Sequence, residues 1–499
     1  MASMLAVLLA SVLTANLAVA AEQDPMPIPP NFLMGTAIAG FQVEMGCLHL
    51  AGEVCEDRSS DWYEFITSPW TVHDPLLFMS GHSPKVGPGF LETYRDDLTL
   101  ASRELGNNAM RVSLEWSRIF PQSTVGVDGY DQLRQLASAP ALAYYHDLFK
   151  AMQEQKLTPM VTLNHYTLPN WIHDAVGCHF SLRTCVNRGW AGRERIVAEI
   201  TKFAAFAAQE FGAEVDDWLT LNEPFSAVVL PSYLLPTPER TNPPGVYMHI
   251  EAAKVANLAM IEAHARMYDA IHSVDIWSRN PGSRPANVGI AYSFFAIKPA
   301  TDRRVDSVVA QNLRYLFHDQ FMNAITLGRL DRDWNGRVVH RPDLADRLDF
   351  VGINYYVRLT PPKFLPGGSS RISPLLTFDP LEGVFDRNAP DGLLQVLREE
   401  SRHGLPLYVT ETGCDAINDE DKPRRWLLGT LAATRQALQE GIDVRGYFYW
   451  SLMDNYEWNH GGNSQFGLFH IDPKDEMKRR IPRSAVSAFR DVTAKGLLP

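Results

Sequence analysis

Cysteine is scarce, with five among 499 residues. Neither of its two close pairs, Cys47 with Cys55 and Cys178 with Cys185, has the tight Cys-x-x-Cys spacing of a zinc site, so no metal is expected. No Lys/Arg cluster is long enough to track a phosphate backbone, and acidic residues outnumber basic ones by 58 to 46, a net charge of -12. Nucleic acid is therefore not an expected partner. Beyond the first twenty residues there is no apolar run of membrane-spanning length, and no solenoid repeat or linker divides the chain.

What is present is ordinary globular material, 45% hydrophobic and 10% aromatic, able to bury a large core. Residues 1–20 are rich in Leu, Ala and Val and end in Ala18-Val19-Ala20 before the polar Glu22-Gln23-Asp24. This reads as a secretory signal with an Ala-x-Ala cleavage site, which implies export to a periplasmic or extracellular space. The segment has no Lys or Arg, so a membrane anchor or a misassigned start are the alternatives. In an oxidising compartment Cys47–Cys55 and Cys178–Cys185 could each close a small disulfide, leaving Cys414 single; five free thiols is the other reading.

After a Pro-rich entry, short apolar runs alternate with longer segments of helical period. The expected strands are 32–39, 109–114, 160–164, 218–222, 288–293, 350–354, 407–410 and 446–450, with amphipathic helices such as 196–211 and 250–271 between them. Eight alternations of strand and helix predict an α/β fold, a single closed (β/α)8 barrel over residues 25–499. Long loops such as 360–391, rich in Pro, Gly and Ser, would build the mouth of its active-site face.

Two of the runs end in acids, Leu221-Asn222-Glu223-Pro224 and Val409-Thr410-Glu411-Thr412. A carboxyl group at the carboxyl end of a barrel strand projects into the active-site face, and a retaining glycosidase needs two of them roughly 5 Å apart. Other strand ends carry Gln42 and Glu44, Arg111 and Glu115, His165, Asn354 and Tyr356, and Trp450, Glu457 and Trp458, all expected to converge on one pocket. Apolar sugar faces pack on indoles while hydroxyls need paired donors and acceptors, so the mixture suits a sugar. Any one of these residues alone is more often core or surface; the joint arrangement carries the argument. Arg111 would neutralise one carboxylate and Tyr356 donate to it, whereas the other acid must stay protonated through burial or a neighbouring negative charge.

The run 32–46 (FLMGTAIAGFQVEMG), 116–121 (WSRIFP), 222–224 (NEP) and 450–458 (WSLMDNYEW) together resemble the blocks of glycoside hydrolase family 1, the β-glucosidase and β-galactosidase family. The resemblance runs from Pro30 to about Arg490. Segments 60–63, 87–89 and 172–174 are more similar to its archaeal thermostable branch than to its plant branch. It implies that Glu223 is the general acid and base, Glu411 the nucleophile held by Arg111 and Tyr356, and Gln42, His165, Tyr166, Asn222, Asn354, Trp450, Glu457, Trp458 and Phe466 the binders of a small β-glycoside or oligosaccharide. It implies no metal or organic cofactor, and exo-action on β-glucosides with β-galactosides or β-fucosides as further substrates.

The chain departs from the family pattern at Thr412 and Cys414 beside the expected nucleophile, at Tyr166 and Thr167, and at Gly462 and Gln465, changes expected to affect specificity. Three rivals remain: transglycosylation on the same residues, a catalytically silent sugar-binding module, and a phospho-glycosidase. An acid at Glu457 would repel a 6-phosphate.

Overall fold

The computed structural model describes residues 24–279, 285–361 and 385–499. The expected signal segment 1–20 and most of the 360–391 loop lie outside the described residues. Eight strands, β1 (Leu33–Ala37), β2 (Ala109–Ser113), β3 (Thr158–Asn164), β4 (Asp217–Asn222), β5 (Asn287–Ser293), β6 (Phe350–Tyr355), β7 (Leu407–Thr412) and β8 (Val444–Trp450), form a closed barrel. All neighbours pair in parallel and in chain order, and β8 closes on β1 with Gly446 opposite Leu33.

The strands are short, apolar and covered on both faces, as a barrel wrapped by helices requires. β3 begins at Thr158, ahead of Pro159, in the strand-start position where a missing N–H is tolerated. Helices α1 (Phe90–Thr99), α2 (Ala139–Glu154), α3 (Arg193–Phe211), α4 (Ile250–Val274), α5 (Gln320–Leu327), α6 (Gly392–Glu400), α7 (Lys422–Gln439) and α8 (Ser484–Lys495) surround it. Inside the barrel a compact cluster including Ala109, Met160, Leu219, Ala291, Phe350 and Phe448 fills the lumen. The lumen is a packed core rather than a channel.

Register irregularities fall at Leu219/Asn222 on β4, at Ile353/Asn354 on β6 and at Val409/Thr412 on β7. Such bulges re-aim side chains, and these three sit at the strand ends that carry Asn222, Asn354 and Glu411. Just past β7, a Cβ on Gly413 would stand 1.9 Å from the Trp450 carbonyl oxygen, so only glycine allows the two chain segments to approach this closely. Cys47–Cys55 and Cys178–Cys185 are bridged, and Cys414 is a buried free thiol.

The loop after β8 is anchored by a buried ion pair. Arg483, at the start of α8, donates to both oxygens of Asp454, at 2.9 and 3.0 Å, with side chains only 2% and 7% exposed. The same guanidinium reaches the Gly467 carbonyl and Gln465 Oε1, so Gln465 faces this clamp. Asp454 also accepts from the backbone N–H groups of Gly467 and Ile471. Removing one partner leaves a buried charge uncompensated, a loss of about 3–5 kcal/mol. Arg483→Met is expected to lower stability by that amount in denaturant unfolding; an unchanged midpoint would refute the clamp.

Candidate active site

At the carboxyl ends of the strands a hydrogen-bond network joins β2, β3, β4, β6 and β7. Arg111, 1% exposed, donates from Nε to Thr162 Oγ1 (3.0 Å), from Nη2 to Asn222 Oδ1 (2.8 Å), and from Nη1 to the Thr410 carbonyl and to Glu411. Asn354 donates to Asn222 Oδ1 at 3.1 Å and to Glu223 Oε1 at 2.9 Å, while its own carbonyl accepts from Thr410 Oγ1 at 2.7 Å. Arg111, Asn222 and Asn354 thus link both carboxylates.

The two acids meet different surroundings. Glu411 receives the Arg111 guanidinium on one oxygen and the Tyr356 hydroxyl, at 2.7 Å, on the other. Glu223 receives only neutral donors, the Asn354 amide and the Tyr166 hydroxyl at 3.2 Å. Burial, and then the nearby charge of Glu411, push the Glu223 carboxyl up to about 7. One acid is paired with a cation; the other holds its proton near neutral pH.

Three residues here lie in the left-handed region, Tyr166 (φ 75°), Glu223 (φ 43°) and Trp458 (φ 46°). Such backbone costs of order 1–3 kcal/mol per residue and persists only where the surroundings enforce it. Each turn directs a side chain toward the same cavity, of about 490 Å³. Its wall includes His165, Tyr166, Glu223, Tyr356, Glu411, Trp450, Glu457, Trp458 and Phe466. His165 lies between two indoles, 5.6 Å from Trp450 and 6.0 Å from Trp458 with near-parallel rings. Burial, then Arg111, lower its pKa well below the usual histidine value, so the imidazole is neutral.

Four of the expected residues stand behind this wall rather than on it. Arg111, Asn222 and Asn354 form the layer under the carboxylates. Gln42, fully buried, donates to Glu457 Oε2 at 2.9 Å and to Asn455 Oδ1 at 3.0 Å, supporting Glu457 from behind. Burial pushes the Glu457 carboxyl up to about 7.

Two strand-end acids do not join the pocket, contrary to expectation. Glu44 accepts from Arg118 Nε at 2.7 Å and from the Tyr145 hydroxyl, and Glu115 accepts from Thr167 Oγ1 at 2.6 Å and from the Phe41 N–H. They form a second buried acidic cluster with Asp57, in which burial and then Glu44 push Glu115 up to about 8. The family departures mostly face away too. Thr412 accepts from Trp426 Nε1 at 2.9 Å under α7, and the Gly462 N–H donates to His82. Tyr166 and Cys414 are the exceptions: both line the cavity, and the Tyr166 hydroxyl bridges Asn222 and Glu223.

The sequence reading missed Arg240. It lies in the connection before α4, pairs with Glu457 Oε1 at 3.5 Å and covers the rings of Tyr166 and Trp458. No periodicity or motif marks an arginine in an irregular loop.

The model of glycosyl hydrolase family 1 matches residues 25–364 and 383–496. A β-galactosidase of Pyrococcus woesei is 33% identical over 510 residues, covering 93% of this chain and 97% of its own. A β-galactosidase of Saccharolobus solfataricus is 32% identical, covering 94% and 96%. Among solved structures, the β-glycosidase of Thermosphaera aggregans aligns with a TM-score of 0.79 at 29% identity, covering 95% of this chain and 98% of that one. With the match running through both ends of the barrel and past both Glu223 and Glu411, the chain belongs to glycosyl hydrolase family 1 and is a β-glycosidase.

Proposed function

We propose that this β-glycosidase is exo-acting and retaining, with Glu411 as nucleophile and Glu223 as general acid and base. One observation carries the assignment: a single network holds both carboxylates yet gives a cation to Glu411 and only neutral donors to Glu223. A Glu411 oxygen attacks the anomeric carbon while Glu223 gives its proton to the departing glycosidic oxygen, and the carbon–oxygen bond to the leaving group breaks. Glu223, now a base, takes a proton from water, which attacks the same carbon and frees Glu411 with the β configuration retained.

A pocket floored by Trp450, His165 and Trp458 supports removal of a terminal sugar, with Glu457 turned to its hydroxyls. β-Glucosides are the first choice and β-galactosides the next. Relatives named β-galactosidase and a Thermotoga maritima relative named β-glucosidase A, 26% identical, support that range.

Glu411→Gln is expected to cut kcat/KM on nitrophenyl β-glucoside by more than about a thousandfold, since the attacking atom is gone. Near wild-type turnover would sink the nucleophile assignment. In Glu223→Ala, azide is expected to restore turnover of an activated glucoside because a small anion replaces the missing base; absence of rescue counts against the role.

The pH profile of kcat/KM tests the environment of Glu223. Its acid form is required, so activity is expected to fall above about pH 7. The Tyr166 hydroxyl stabilises the ionised form and lowers that pKa, so Tyr166→Phe is expected to move the alkaline limb upward. A limb that stays put or moves down would remove Tyr166 from this role.

A further inference from the structure

Tyr166 sits at the centre of a strained turn. The Thr167 N–H donates to the His165 carbonyl at 3.0 Å, closing three residues around Tyr166, whose φ is 75°. Turns of this kind with a positive φ at the centre are rare, and such backbone persists only where its neighbours hold it. What the turn aims matters to the reaction: the Tyr166 hydroxyl lies 3.2 Å from Glu223 Oε2 and 2.9 Å from the Asn222 amide nitrogen.

The hold comes from Thr167. Its N–H bonds to His165, and its carbonyl accepts from Asn164 Nδ2 at 2.9 Å, both in the same stretch of chain. Among the described residues, only its hydroxyl ties it to another strand, donating to Glu115 Oε2 at 2.6 Å just past β2. Glu115 is itself rigidly placed. Its N–H donates to the Tyr145 hydroxyl at 2.9 Å, and its Oε1 accepts from the Phe41 N–H at 2.9 Å and from Ser113 Oγ at 3.2 Å. A Cβ on Gly40 would stand 2.8 Å from the same Oε1, so the short helix Gly40–Glu44 packs directly on this carboxyl. With one oxygen fixed by backbone, the other is left aimed at Thr167.

Glu115 is fully buried, and the charges that face it are those of Glu44 and Asp57, while Arg118 bonds to Glu44 instead. A buried carboxyl among acids weakens a fold, so its presence calls for a compensating role. We infer that Glu115 is a positioning residue for the acid–base step: through Thr167 it locks the turn that keeps the Tyr166 hydroxyl on Glu223. The inference rests on the reading above of Glu223 as acid and base with Tyr166 as its donor. Glu115 is not among the residues that line the cavity, so it acts only through this chain of contacts.

The readout is the alkaline limb of kcat/KM on nitrophenyl β-glucoside, set by Glu223, which faces Glu411, Arg240, Asn354 and Tyr166. Thr167→Val exchanges the hydroxyl for a methyl of similar size. With the turn released, the limb is expected to move up by about half a pH unit, the scale of one weak hydrogen bond. Thr167→Ser keeps the hydroxyl and is expected to hold the wild-type limb. In a Tyr166→Phe background, Thr167→Val is expected to move the limb no further, because the group it acts through is gone. A shift caused by general loosening, or by titration of Glu115 itself, would persist in that background. Glu115→Leu is expected to match Thr167→Val, and Glu115→Gln, able to accept from Phe41 and donate to Thr167, to return the limb toward wild type.

A limb unmoved by Thr167→Val, or moved equally with and without Tyr166, overturns the inference even where the Glu115 variants fail to fold. A limb that moves in Tyr166→Phe but not in Thr167→Val overturns the inference alone and leaves the Tyr166 reading standing. A limb that stays put in Tyr166→Phe fells that reading, and the inference with it.

Discussion

Burying the guanidinium of Arg111 inside the barrel is the constraint on which the site depends. A charge this far from water must be met by an opposite charge and by acceptors for its donors. Glu411 supplies the charge, and Thr162, Asn222 and the Thr410 carbonyl supply the rest. Those partners sit on β3, β4 and β7, so satisfying one side chain of β2 fixes the relative placement of four strand ends. The same pairing uses up the cation, which leaves Glu223 with amide and phenol donors only and makes its proton hard to lose.

The barrel end holds two buried acidic groupings, and adjacent residues divide between them. Tyr166 turns its hydroxyl to Glu223, while Thr167 turns its own to Glu115. The left-handed backbone at Tyr166 makes that division, because it sends two successive side chains to separate clusters. Glu44 and Glu115 belong with Arg118 and Tyr145, so an acid at a strand end is a pocket residue only if the local turn aims it there.

The eight strands were legible because each is a short apolar run bounded by polar or turn residues, and their observed limits differ from the sequence reading by at most about two residues. Glu223, Glu411, Arg111 and Tyr356 were legible for a related reason: barrel strands deliver their last residues to one face. What could not be read is which neighbour each side chain finds. Gln42 looked like a sugar contact and stands behind Glu457; Thr412 looked like a change beside the nucleophile and lies under Trp426. Arg240 was invisible because its position comes from a turn pinned to Asn459, a pairing of residues 218 apart in sequence that no local pattern encodes.

The sugar pocket is stitched together from the two extremes of the barrel. β1 lies beside β8, and Gln42 donates to Glu457 across 415 residues of chain. The loop bearing Glu457 is held in turn by Arg483 at the start of the last helix. Contacts so distant in sequence form late, because the entropy of closing a long loop must be met before they return any stabilisation. A ribosome-bound chain that has already displayed Glu223 and Glu411 therefore still lacks a finished pocket. The wall that carries Glu457 is therefore set only once the segment bearing Arg483 has docked on Asp454, so order at the sugar face waits on the last of these contacts to close.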